Sequence, residues 1–168
     1  HRADPAAMAA AIDPNTLMLV GSAPCFPYGL VDPIDALSDL AQERNLWLHV
    51  DACVGGYFAP FARMNGVDLP AFDFELSGVA SISADLHKYG YAAKGASTIF
   101  HRSEAQRAFQ YFESGAWPGG QMKTPTAAGT RPGGAIAVRR NSRLKVKNSA
   151  FQNNRSQGKA GAIYLEES

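Results

Sequence analysis

The stretch from Leu17 to Val50 constrains the fold more than any other. LMLVGSA (17–23) and LWLHV (46–50) are compact apolar runs of the kind found in buried strands, and IDALSDLAQERN between them carries apolar residues at helical spacing. Asp32 is expected as the N-cap of that helix, with Pro33 at its first position. Strand, helix and strand in this order make a βαβ unit, which dictates parallel strands and a right-handed crossover.

The rest of the chain continues in the same style. Residues 4–13 predict a short Ala-rich helix stopped by Pro14. An irregular stretch bearing Pro and Gly follows DACVGGYF and runs to residue 78. VASISAD (79–85) and ASTIFHR (96–102) predict two more strands, and Ser103 opens a helix expected to reach residue 114. Residues 115–134 are expected to form a long loop without an element of its own, of the sort that is usually functional or disordered. The pattern is α/β, a mostly parallel sheet with flanking helices, and four strands of it are legible.

A chain of 168 residues can bury one real core. Its net charge of +1 gives no argument for a nucleic-acid partner. No run approaches the ~18 apolar residues of a membrane span. The N-terminus lacks both an initiating Met and an apolar signal core, so the sequence reads as entered partway through a gene. Cys25 and Cys53 have no CxxC or His spacing nearby and are expected as reduced, buried thiols of a cytosolic protein, with no metal site.

Three features carry chemistry. Asp51 follows a buried strand directly, a His87-Lys88 pair follows another, and a hydroxyl-bearing Gly-rich loop comes later. In open α/β sheets ligands bind beyond the carboxyl ends of the strands, so Asp51 and Lys88 are expected to face one crevice. Each alone has a plainer explanation, since Asp after a strand is commonly a cap and a loop lysine is usually solvated surface. Together they suit a lysine that holds an aldehyde cofactor as a Schiff base and a carboxylate that keeps a pyridine nitrogen protonated.

HVDACVGG (49–56), SISADLHKYGYAAKGAS (81–97) and WPGG…TPTAAGTRPGG (117–134) together resemble the group II decarboxylase family dependent on pyridoxal phosphate, and within it the sphingosine-1-phosphate lyase-like branch. The resemblance runs from about residue 12 to Ala137. It implies the large domain of fold type I, the aspartate aminotransferase-like fold, with pyridoxal 5'-phosphate as cofactor. Lys88 then matches the catalytic lysine, Asp51 the partner of the pyridine nitrogen, and Ala52 the small residue against one ring face. His87 matches the residue near the cofactor phosphate. His49 is a further cofactor-binding candidate, although strand alternation can equally place it against a neighbouring element. Gly55 and Gly56 are expected to permit close backbone approach. Thr124, Thr126 and Thr130 offer hydroxyls in the late loop, Thr130 being the cofactor-binding candidate among them. Tyr89 and Tyr91 are expected to pack, and Lys94 is a candidate for a phosphate. Met122 stands where the family often has an aromatic residue.

The implied reaction is carbon–carbon bond cleavage, either loss of carboxylate or retro-aldol cleavage, on a small-molecule amine or amino-acid substrate. The implied assembly is a cytosolic homodimer. The resemblance stops near residue 137. Between Arg139 and Lys159 stand seven of the 16 lysines and arginines and no acidic residue. NSAFQNNRSQGKAGAIY there resembles one repeat of the parallel β-helix type, too little to bury its own face. The expected division is therefore a partial cofactor-binding domain over 1–137 and a poorly ordered, unrelated or misjoined basic tail over 138–168. With the flanking parts of the family fold missing, the polypeptide alone is expected to be inactive. Two other readings stand beside this one: an aminotransferase-like enzyme using the same Asp51 and Lys88, and a non-enzymatic β-helix adhesin fragment with an accidental α/β portion.

Overall fold

The computed structural model describes residues 1–126 and, as strand backbone alone, 136–138 and 163–165. Helix α1 (Pro5–Ala11) is capped by Asp4, whose carboxylate accepts from the N–H groups of Ala6 and Ala7. Strand β1 (Met18–Ser22), helix α2 (Ile34–Arg44) and strand β2 (Trp47–Asp51) form the expected βαβ unit, with β1 and β2 parallel. Helix α2 ends on Asn45 in the left-handed conformation, its N–H returning to Ala41 and Gln42. Strand β3 (Val79–Ala84) adds parallel to β2, and β4 (Thr98–His101) closes the sheet antiparallel, in the order β1-β2-β3-β4.

Side-chain alternation divides this sheet. Leu19, Leu48, Val50 and Ile82 point to one face and bury against Ile34, Leu37, Leu40 and Ala41 of α2. At Gly21 a Cβ would come within 2.5 Å of Ile34 Cδ1, so the close seating of α2 on β1 depends on that glycine. The other face presents Met18, Trp47, His49, Ser81 and Ile99, which line a shallow cavity together with Phe109 of the following segment. An irregularity in the pairing between Leu48 and His49 brings Ser81 opposite His49 and Ser83 opposite Asp51. The three parallel strands thus end together, with Ser22, Asp51 and Ser83 abreast at that edge.

Several expectations are corrected. Asp32 does not cap α2, which begins at Ile34 behind Pro33 without a side-chain cap. Its buried carboxylate instead accepts from the backbone of Ala3 at 2.8 Å and Ser22 at 2.7 Å, tying the N-terminal segment to the end of β1. The irregular stretch contains α3 (Ala59–Met64), because Pro60 falls in a first turn, where its missing N–H costs nothing. The helix expected over 103–114 is only α4 (Glu104–Ala108), capped by Ser103. A helix this short needs an apolar face against a partner, yet Phe109 is 86% exposed. The chain turns instead into β5 (Phe112–Ser114), paired antiparallel with β6 (Met122–Thr124) inside the expected loop. Glu113 and Lys123 face each other there at 3.2 Å. Both cysteines are free but only partly buried. Strands β7 (Ile136–Val138) and β8 (Ile163–Leu165) pair in parallel. Thr130 and the remainder of 138–168 lie outside the described residues.

Candidate active site

The site grows from two strand ends and two glycine-bearing turns. After β2 the chain passes Asp51, Ala52 and Cys53 into the turn at Gly55 and Gly56. Ala52 is fully buried, its N–H within reach of both Val50 O and Ser83 O. A Cβ on Gly56 would lie 2.5 Å from Ala84 Cβ, and one on Gly55 would collide with the backbone oxygen of Ala23. Both glycines thus let this turn seat closely against Ala23 and Ala84. After β3 the chain enters the loop 85–97, closed by Ala92 N–H to Leu86 O at 2.9 Å and His87 N–H to Ala96 O at 3.0 Å.

These turns bring Asp51 and Lys88 to opposite sides of one residue. Asp51 Oδ1 accepts from Cys53 N–H at 3.0 Å and from Ser83 Oγ at 3.3 Å. Partial burial pushes the Asp51 carboxyl up, but hydrogen bonds from Cys53 and Ser83 outweigh it and hold the group below its ordinary range. Lys88 Nζ donates to Cys53 Sγ at 2.9 Å and forms an ion pair with Asp85 at 2.9 Å. Those two contacts, Cys53 first and Asp85 second, raise the Lys88 amine above its ordinary value and outweigh the opposing effect of burial. The Cys53 thiol is itself pushed up by burial, which Lys88 only partly offsets.

His87 sits beside this pair. Its Nδ1 lies 2.6 Å from Ala96 O, a carbonyl that only accepts, so Nδ1 carries a proton and donates. Nε2 is thereby turned to Asp85, 3.5 Å away. His49 shares a strand face with Asp51 but is engaged elsewhere. Trp47 Nε1 donates to Ser81 Oγ at 2.8 Å, and the serine's own proton is then available to His49 Nδ1 at 2.8 Å. Burial is the main cause that lowers His49 below its ordinary value, consistent with a neutral ring. Of the two placements open to His49, the structure shows packing within the sheet face, in a different cavity from the one at Lys88.

Lys88 lines a cavity of about 650 Å³ with Phe26, Val54, Phe58, Tyr89 and Tyr91. Its wall is mostly apolar, and Phe58 and Tyr89 meet ring to ring at 5.2 Å. Tyr89 packs against Phe58 as expected, whereas Tyr91 is 88% exposed at the rim of the cavity. Thr124 is buried and Thr126 adjoins it, bonded to one another rather than to the Lys88 loop. Sequence reasoning passed over Cys53 and Asp85 as parts of the site. Cys53 was legible only as an apolar-context thiol, and Asp85 as a strand end, since neither carries a signal until the two turns fold together.

The donor set fits pyridoxal phosphate. A lysine that lines a cavity, a carboxylate held ionised at the strand ends and a small, buried alanine next to that carboxylate are groups that cofactor needs. Comparison with known proteins agrees. Residues 17–112 match the family described as the pyridoxal-dependent decarboxylase conserved domain. The sphingosine-1-phosphate lyase of Dictyostelium discoideum is 44% identical over 151 residues, 90% of this chain and 29% of that protein. The Arabidopsis thaliana enzyme of the same name is 43% identical over 166 residues, 99% of this chain and 30% of its own, an alignment that extends past Ala137. The solved structure of the Burkholderia pseudomallei sphingosine-1-phosphate lyase superposes with a TM-score of 0.75 at 49% identity, covering 79% of this chain and 30% of that one. The chain thus spans about 30% of the length of the curated relatives it matches.

Proposed function

The chain belongs to the pyridoxal-dependent decarboxylase family and its sheet is part of a fold type I large domain, and from that premise we propose that it serves a carbon–carbon lyase acting on a phosphorylated long-chain amino alcohol. The observation that carries this reading is the placement of Lys88: it lines an apolar cavity, and Cys53 alone separates its amine from a carboxylate held ionised. The similarity to sphingosine-1-phosphate lyases, extending over nearly the whole chain in one case, supports the choice of substrate class.

Pyridoxal phosphate, when bound, supplies an aldehyde carbon for an amine and a protonated ring that draws electrons from the bond being broken. Lys88 is the side chain that would hold it, with Asp51 at the ring nitrogen, Ala52 beneath the ring and His87 toward the phosphate. Asp51 enters that role already charged, because the Cys53 and Ser83 bonds favour the carboxylate. Ala52 contributes by its size, since it is fully buried and leaves no room for a larger side chain at the end of β2. Phe26, Phe58, Tyr89 and Tyr91 line the cavity beside Lys88 and would offer an aliphatic chain an apolar wall. In retro-aldol cleavage the substrate hydroxyl proton must leave and the amine-bearing carbon must gain one, giving an aldehyde and a phosphoethanolamine-type product. Lys88 Nζ is the group positioned to move a proton at that carbon.

Loss of carboxylate from an amino acid is the second reading, favoured by the family description. We further infer a homodimer in the cytosol. Phe26, Tyr28 and Tyr91, each more than half exposed, support an apolar face covered by a partner.

Incubation of the protein with pyridoxal phosphate tests the core of the proposal. A new absorbance band near the visible edge, trapped by borohydride on the peptide bearing Lys88, is expected, and a Lys88→Ala variant showing the same band would refute the assignment. Supplying sphingosine 1-phosphate or an amino acid to the whole protein of which this chain is a part then separates the two cleavages, by a long-chain aldehyde in one case and carbon dioxide in the other.

A further inference from the structure

Asp85 leaves β3 and at once gathers three side chains on one carboxylate. Oδ2 lies 2.9 Å from Lys88 Nζ and 3.5 Å from His87 Nε2, while Oδ1 accepts from Ser97 Oγ at 2.5 Å. The Asp85 side chain is 12% exposed, while Lys88 is 34% exposed and Ser97 lies at the surface. Its own N–H is bonded to Cys53 O at 3.2 Å, which fixes where the carboxylate starts. Ser97 is the last residue of the loop 85–97, so the Asp85–Ser97 bond joins the two ends of the segment that carries Lys88.

We propose that Asp85 is the positioning residue for Lys88: it seats the amine between its own carboxylate and the Cys53 sulfur, and ties both ends of the lysine loop to that seat. The inference rests on the reading of Lys88 as cofactor anchor and deepens it. A lysine side chain on a glycine-bearing loop has many rotamers, and an anchor must present its amine in one place. Asp85 supplies that restriction through charge. Cys53 supplies the other side of the seat as a weak acceptor with no net charge. Without Asp85 the amine keeps only the sulfur contact, and the loop loses the bond that holds Ser97.

Among the described residues, several titratable groups surround Lys88. Asp85 and Cys53 touch it; Asp51 lies beyond Cys53, His87 beyond Asp85, and Tyr89 and Tyr91 line the same cavity. The segment of Phe26 that completes the cavity brings no charge. Asp85 is therefore the one anionic side chain in direct contact with the amine, and its removal has a defined consequence. Losing a paired carboxylate favours the uncharged, nucleophilic amine at lower pH.

Reductive methylation with formaldehyde and cyanoborohydride, followed by peptide mass spectrometry across a pH series, reads Lys88 reactivity without any cofactor. Asp85→Asn is expected to move the Lys88 profile toward acid by about one pH unit, roughly a tenfold faster labelling at neutral pH. Lys94 and Lys123 keep their profiles, and Asp85→Glu restores that of the wild type. A merely structural aspartate would leave the Lys88 profile in place, and that result overturns the proposal. Should Asp85→Asn fail to fold by circular dichroism, Ser97→Ala asks the same question. The loosened carboxylate then moves the Lys88 profile the same way by less, and an unmoved profile again overturns it. Borohydride trapping of pyridoxal phosphate on wild-type Lys88 separates the two readings. Absence of trapping defeats the anchor assignment, whereas trapping with an unmoved Asp85→Asn profile defeats only the role of Asp85.

Discussion

The Lys88 amine stands 2.9 Å from the sulfur of Cys53, 35 residues earlier in the chain, and the Cys53 N–H stands 3.0 Å from the Asp51 carboxylate. One cysteine thus separates the two charged groups of the site. Burial raises its thiol above the ordinary 9.0, and the Asp51 carboxylate adds to the rise while Lys88 opposes it. Alkylation of Cys53 by iodoacetamide is therefore expected to be slow at about pH 7.5, where little thiolate exists, and to accelerate up to and past about pH 9. Lys88→Ala removes the opposing ammonium and should slow it further. Rapid alkylation of Cys53 near neutral pH, or a faster rate in Lys88→Ala, would contradict this account.

Asp32 holds Ala3 and Ser22 by their backbone N–H groups from a position that is 8% exposed. Asp32→Ala leaves both donors without that partner, at about 1–3 kcal/mol for each that stays dry. The expected loss is therefore about 2–4 kcal/mol in urea denaturation, seen as a lower midpoint with an unchanged slope. Asp32→Asn keeps an acceptor oxygen for one of the two and should lose about half as much.

The parallel sheet was legible because β1, β2 and β3 announce themselves as apolar runs of the right length, and α2 by its period. Asp51 and Lys88 were legible as residues just past strand ends. Legibility failed where meaning depends on a distant partner. Asp32 reads as a cap from its neighbours alone, yet its real acceptor geometry serves Ala3, 29 residues away. Asp85 and Cys53 are unremarkable in one dimension, and become a seat for Lys88 only when the ends of β2 and β3 lie side by side. The short strands β5 and β6 escaped for a further reason: their pairing rests on the Glu113–Lys123 contact across a glycine turn, with no hydrophobic alternation to show it.

Gly56 measures how tightly the turn after β2 is packed. An added Cβ would lie 2.5 Å from Ala84 Cβ and 2.9 Å from Ala52 O, neither of which is a flexible side-chain end. Gly56→Ala should destabilise by about 1–3 kcal/mol and weaken cofactor trapping on Lys88, because Ala52 and Ala84 must part to admit it. Gly115→Ala is the control, since a Cβ there meets nothing within 4 Å. Its thermal midpoint should match the wild type within the effect of about 0.5 kcal/mol.

His49 should make the protein sensitive to mild acid. Burial, reinforced by His101 and opposed by Asp51, depresses the folded ring below its ordinary 6.5. The unfolded chain therefore binds a proton at His49 before the folded one does, and stability falls as pH drops below about 6.5. Asp51 and Asp85 add a second stage, for their folded carboxyls lie below the ordinary 3.8. Their contribution is complete above that value and is lost as pH falls through the lower folded one. Urea midpoints measured from about pH 7.5 down to pH 3 should thus decline in two steps. His49→Gln, which cannot take up a proton, should abolish the upper step and leave the lower. Equal midpoints for the wild type at about pH 7.5 and pH 5, or an upper step that survives in His49→Gln, would place the acid sensitivity elsewhere.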